Sequence, residues 1–152
     1  MGHLEVKHLK SPKDKALYIH HLVKDLEALD IMLKRGLIEK EPTRIGAEQE
    51  LCITTKDFFP NKNSIEILES INHKNFTTEI GKYNIEINSD PLELKTNCFS
   101  QLELQLKELI QKAEKVAQSK NSKIILTGIL PTLRLKHISD KYMTDKPRYH
   151  VL

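Results

Sequence analysis

From Tyr83 to Asn88 apolar and polar residues alternate without a break, Tyr83, Ile85 and Ile87 against Asn84, Glu86 and Asn88. Period two is the mark of a β-strand, whose successive side chains point to opposite faces. A chain carrying this pattern must build a sheet with one apolar face to bury and one face of carboxylates and amides to leave open. A second stretch obeys the same rule. In Ile45-Gly46-Ala47-Glu48-Gln49-Glu50-Leu51-Cys52-Ile53, the residues Ile45, Ala47, Leu51 and Ile53 fall on one side and Gly46, Glu48, Glu50 and Cys52 on the other. Phe76-Thr77-Thr78-Glu79-Ile80 is rich in β-formers and is parted from Tyr83 only by Gly81-Lys82, which reads as a hairpin.

The apolar face needs a cover, and helices supply it. From about Asn97 to Lys120, Leu102, Leu106, Leu109, Ala113 and Val116 recur at spacings of 4, 3, 4 and 3, one face of a long helix. Ser64 to Ile71 reads as a short amphipathic helix after the loop through Phe58-Phe59-Pro60-Asn61. An earlier helix starts at Ser11-Pro12-Lys13-Asp14, where a capping serine, a first-turn proline and an acid at the positive helix end coincide. Its Ile19, Leu22, Leu26, Leu29 and Leu33 are spaced 3, 4, 3 and 4, and Gly36 is placed to end it. That stripe would dock on a sheet or pair with another helix, docking being the commoner case. Lys123-Ile124-Ile125-Leu126-Thr127-Gly128-Ile129 reads as a buried strand ending near Pro131. The order helix, strand, hairpin, helix, strand predicts an α+β fold with a mainly antiparallel sheet and helices on one face.

Composition narrows the function. The 152 residues suit one domain with a real core, and the net charge of +3 comes from lysines scattered among acids, not from a basic patch with interleaved aromatics. Nucleic acid is not an expected partner, nor is a membrane, since no apolar run approaches the roughly 20 residues a span requires. The five glycines, Gly2, Gly36, Gly46, Gly81 and Gly128, are never grouped, so there is neither a Walker loop nor a G-x-G-x-x-G turn. Any nucleotide must be held by other means. Cys52 and Cys98 lie 46 residues apart without a C-x-x-C partner, which suggests reduced thiols and no zinc cluster. The first residues lack the apolar core of a signal peptide, and cytoplasm is the expected location. His20-His21 face different sides of a helix, while His73, His137 and His150 have no ligand spacing.

The informative feature is the polar face. Glu48 and Glu50 point the same way about 7 Å apart, and such a pair repels unless a cation lies between. Glu86 alternates with Asn84 and Asn88 on a strand able to lie beside them, and Glu79 stands seven residues earlier across the hairpin. Hard oxygen donors of this kind suit magnesium with substrate phosphates. The plain alternative is a solvated sheet face.

Taken in order, Gly46-Ala47-Glu48-Gln49-Glu50, then Tyr83-Asn84-Ile85-Glu86-Ile87-Asn88-Ser89-Asp90-Pro91-Leu92, the long helix from Cys98, and Ile125-Leu126-Thr127-Gly128-Ile129-Leu130-Pro131 resemble the glutamate-cysteine ligases and their relatives among carboxylate-amine ligases. The resemblance runs from about Arg44 to Leu152. It implies a glutamine-synthetase-like sheet that binds ATP through Mg2+ or Mn2+, with Glu48, Glu50 and Glu86 as metal ligands and Glu79 as a further acidic position. Residues 1–43, which precede the matched region, are expected to form an N-terminal helical segment. Residues 44–152 would be the N-terminal part of a catalytic domain, whose later ligands lie beyond the matched region, so that this stretch alone is expected to be inactive.

The implied reaction joins an amino-acid carboxylate, glutamate first, to an amine, cysteine first, through an acyl phosphate formed from ATP. Phosphoryl transfer mainly needs charge neutralisation and positioning, which fits a carboxylate face without a glycine loop. Arg148, in an Arg148-Tyr149 pair that resembles a family motif, is the candidate catalytic clamp for a phosphate or carboxylate, against a surface salt bridge. Asn88 and Ser89 are candidate substrate contacts, although Asn-Ser-Asp-Pro is also an ordinary strand-ending turn. The competing expectations are a ligase with another acceptor and a noncatalytic binding or scaffold module of the same fold. Expected partners are ATP and small amino-acid substrates, together with a second copy of the chain or the rest of the domain, since exposed sheet edges invite association.

Overall fold

The computed structural model describes Val6 and residues 9–150. They form two compact units, one holding the described residues up to Thr43 and those from Lys146, the other Arg44–Asp145. Among the described residues no helix is long and apolar enough to cross a membrane.

The first unit is built on α1, Pro12–Lys34, with a short α4, Pro147–His150. Ser11 caps α1 reciprocally. Its hydroxyl accepts the Asp14 N–H at 3.1 Å, and the Asp14 carboxylate accepts the Ser11 N–H at 2.9 Å. At the other end Gly36 takes φ 66°, and Leu37 N–H reaches back to Met32 O at 2.9 Å, closing the helix in the left-handed turn that glycine favours. Contrary to the expected docking, no residue of α1 is buried.

The second unit is α+β. β2 (Glu48–Thr54), β3 (Phe76–Thr78), β4 (Asn84–Asn88) and β6 (Lys123–Ile125) form one antiparallel sheet in the order β3-β4-β2-β6. β1 (Arg44–Ile45) and β5 (Leu92–Glu93) pair separately. The expected strand from Ile45 is thus two strands, because Gly46 and Ala47 leave the ladder between them. The strand expected to run through Ile129 stops at Ile125. Leu126 and Ile129 are exposed there, since apolar character alone does not bury a run that has left the ladder. α2 (Ser64–Ile71) and α3 (Cys98–Ser119) lie where their periodicity puts them.

Alternation decides which face is buried. Leu51, Ile53, Ile85 and Ile87 are wholly buried and join Ile124 with Ile67 and Ile71 of α2 and Leu109, Ala113 and Ala117 of α3 in one core. Alanines on α3 bring its backbone close to the sheet. Fully burying each large aliphatic side chain contributes about 1.5–3 kcal/mol, so this face supplies the driving force for folding the unit. The opposite face is left to carboxylates and amides.

Candidate functional site: a carboxylate face and its adjoining cavity

Strand register gathers the predicted glutamates. Glu50 stands directly opposite Glu86, Glu48 opposite Asn88 and Cys52 opposite Asn84, while Thr77 of β3 flanks Glu86 on its other side. Cross-strand partners share a face, and like charges facing each other destabilise a sheet. The hairpin then carries Glu79 to the same face. Burial, a hydrogen bond shared with Glu86, and the charges of Glu86 and Glu50 push Glu79 up to about 7, against the opposing pull of the Ile80 N–H at 3.1 Å. Near neutral pH this carboxyl holds a proton for much of the time. Asn88 Nδ2 donates to Glu86 Oε1 at 2.6 Å, so Glu86 is fixed on both sides. Glu48 and Glu50 are exposed and free to turn.

The donors are hard oxygens suited to a divalent cation, and the Glu86 and Glu50 charges that add to burial and the Glu86 hydrogen bond in raising Glu79 are ones such an ion would offset. As the side chains stand, no group of three or more His, Cys, Asp or Glu that could hold a metal is present among the described residues. Coordination would therefore require Glu48 or Glu50 to swing inward and Glu79 to lose its proton.

Asn88 and Ser89 line an open recess of about 400 Å3 with Gly46, Ala47 and Glu48. Ser89 Oγ accepts the Ala47 N–H at 2.7 Å, and Ser89 N–H donates to Ala47 O at 2.9 Å. Both groups of Ser89 therefore hold the chain where it enters β2. Arg148 lies on α4, in the first unit, and is exposed.

Sequence reasoning did not find the cavity of about 250 Å3 beside the glutamates. Cys52, Asn84 and Glu79 line it from the sheet, and Leu130, His137 and Tyr142 from the segment after β6. That segment is strapped to the hairpin by Thr144 N–H to Ile80 O at 2.7 Å, Thr144 Oγ1 to Glu79 O at 2.6 Å and Lys82 N–H to Tyr142 O at 2.7 Å. His137 is buried, its Nδ1 accepting the Arg134 N–H at 2.9 Å and its ring edge-on to Tyr142. Burial, then the charges of Lys136 and Arg134, lower its pKa from the ordinary histidine value. Burial pushes the Cys52 thiol up, with Glu50 adding to the effect and the Asn84 amide opposing it, which leaves a protonated, unreactive thiol. Asn84 was visible in the alternation. Nothing in the local sequence announced His137, which is brought in by a loop.

No family model, no curated protein and no solved structure matches the chain.

Proposed function

We propose that the Arg44–Asp145 unit is the nucleotide-facing part of a glutamine-synthetase-like sheet in an ATP- and magnesium-dependent carboxylate-amine ligase. The observation that carries this reading is the register that puts Glu48, Glu50 and Glu86 on one polar face, with the Glu79 carboxyl raised to about 7 beside them. The resemblance to glutamate-cysteine ligases in the Glu48-Gln49-Glu50 and Glu86-Ile87-Asn88 segments supplies the reaction.

In this reading Glu48, Glu50 and Glu86 hold Mg2+ or Mn2+, and Glu79 joins them once its proton leaves. The bound ion neutralises phosphate charge. The chain's own residues do the rest. Asn88 orients Glu86. The segment around Tyr142 and His137 walls the cavity beside Glu79. The carboxylate of glutamate forms a bond to the γ-phosphorus of ATP as the bond to ADP breaks, and the amine then displaces phosphate from the acyl phosphate. Cysteine is the first acceptor to try, and cytoplasm is where these substrates meet. Arg148 would clamp a carboxylate or phosphate.

A second reading, a noncatalytic module of the same fold, is favoured by one observation. Glu79 and Glu86 are hydrogen-bonded to each other, which by itself accommodates the pair.

Hydroxylamine distinguishes the two, because it traps an acyl phosphate whatever the natural acceptor. The longest natural form of the protein, given Mg2+, ATP and glutamate, is expected to yield the glutamyl hydroxamate, and Glu86→Gln to abolish it. Product formation that survives excess chelator, or that Glu86→Gln leaves intact, would defeat the ligase assignment. Lack of product together with unimpaired folding would favour the noncatalytic module.

A further inference from the structure

α1 is a capped helix of 23 residues with no buried residue. Its Ile19, Leu22, Leu26, Leu29 and Leu33 are each between 44% and 60% exposed. In proteins most helical stability comes from packing an apolar face, and a continuous exposed apolar patch marks an interaction surface. The apolar side of the chain's own sheet is already filled by α2 and α3. A lipid surface is a poor match. Between Pro12 and Lys34 the four lysines, Lys13, Lys15, Lys24 and Lys34, are balanced by Asp14, Asp25, Glu27 and Asp30, whereas interfacial helices carry an excess of basic residues.

The alternating 3 and 4 spacing is that of a coiled-coil seam, in which Ile19, Leu26 and Leu33 take one core position and Leu22 and Leu29 the other. Flanking the seam are Tyr18, Val23 and Met32, all exposed, and two acids, Asp25 and Asp30. These acids select the arrangement. In a parallel pair Asp25 of each helix would face Asp30 of the other, twice by symmetry. In an antiparallel pair centred between Leu26 and Leu29, Leu26 meets Leu29 and Leu22 meets Leu33. Asp25 then lies beside Met32 and Asp30 beside Val23, so no acid meets an acid. Asp30 also keeps its own partner, Lys34, at 2.6 Å. The seam ends with the helix, Ile19 falling opposite Gly36.

We propose that α1 pairs with the α1 of a second copy of this chain, antiparallel, through the Leu22–Leu26–Leu29–Leu33 seam. Sedimentation equilibrium of the full chain at micromolar concentration is expected to give twice the chain mass. Leu26→Lys, at a residue 60% exposed, should weaken the dimer by about 100-fold or more while leaving the circular dichroism of the sheet unit intact. Orientation is read by cysteine cross-linking, with Cys52 and Cys98 buried and silent. A mixture of Leu22→Cys and Leu33→Cys chains should cross-link, and Leu22→Cys alone should not. A monomer at all concentrations, a dimer indifferent to Leu26→Lys, or efficient cross-linking of Leu22→Cys to itself would each overturn the proposal. So would a helix covered by a different protein in place of a second copy.

Discussion

Glu79→Gln tests the electrostatics of the carboxylate face directly. In the folded protein the Glu79 carboxyl is pushed up to about 7, against 4.5 for the free side chain. Between those two values the native state keeps a proton that the unfolded chain has released. Stability must therefore fall as pH rises through this window, and the full penalty applies above about pH 7. Taken at face value the shift corresponds to roughly 3 kcal/mol, and because the side chain retains solvent access a discounted figure of about 1 kcal/mol is the working expectation. Glutamine cannot ionise and still offers Glu86 a donor, so it imitates the protonated acid. Urea unfolding followed at 222 nm should show Glu79→Gln about 1 kcal/mol more stable than the parent at pH 8, with the difference vanishing near pH 4. A variant less stable at pH 8, or a difference that does not change between pH 4 and pH 8, would refute the argument.

Two further outcomes follow from the burial pattern. Ile53 of β2, wholly buried in the core with residues of α2 and α3, should cost about 2–5 kcal/mol when changed to alanine, read as a fall in urea midpoint at constant m-value. Cys52, 3% exposed and with its thiol pushed up by burial, should react with a thiol reagent only as fast as the native fold opens. Labelling of the folded protein at the rate of a free thiol would contradict its protonated, enclosed state.

Local pattern made some of this structure legible and left the rest invisible. Alternation from Asn84 to Asn88 and from Glu48 onward named the strands, their buried isoleucines and the glutamates of the polar face, since a period of two assigns faces by itself. Register is what turned two separate patterns into Glu50 opposite Glu86, and no single segment contains that information. The run from Ile124 to Ile129 misled because hydrophobicity without alternation does not separate a strand from an exposed loop. The stripe of α1 was correctly periodic, yet periodicity is silent on what covers it. His137 and Tyr142 carry no local signal of a site, because only the strap from Thr144 to the hairpin carries their loop to Cys52 and Asn84.

The central claim is that the face of Glu48, Glu50 and Glu86 is a site for a divalent cation, and Mn2+ binding read by electron paramagnetic resonance tests it most directly. The account predicts that the chain takes up Mn2+, that ATP tightens the binding, and that uptake releases protons at pH 7 as Glu79 ionises. Glu50→Gln and Glu86→Gln should each weaken binding by about tenfold or more without unfolding the sheet. Absence of Mn2+ binding at millimolar concentration, or binding that both substitutions leave unchanged, would contradict it.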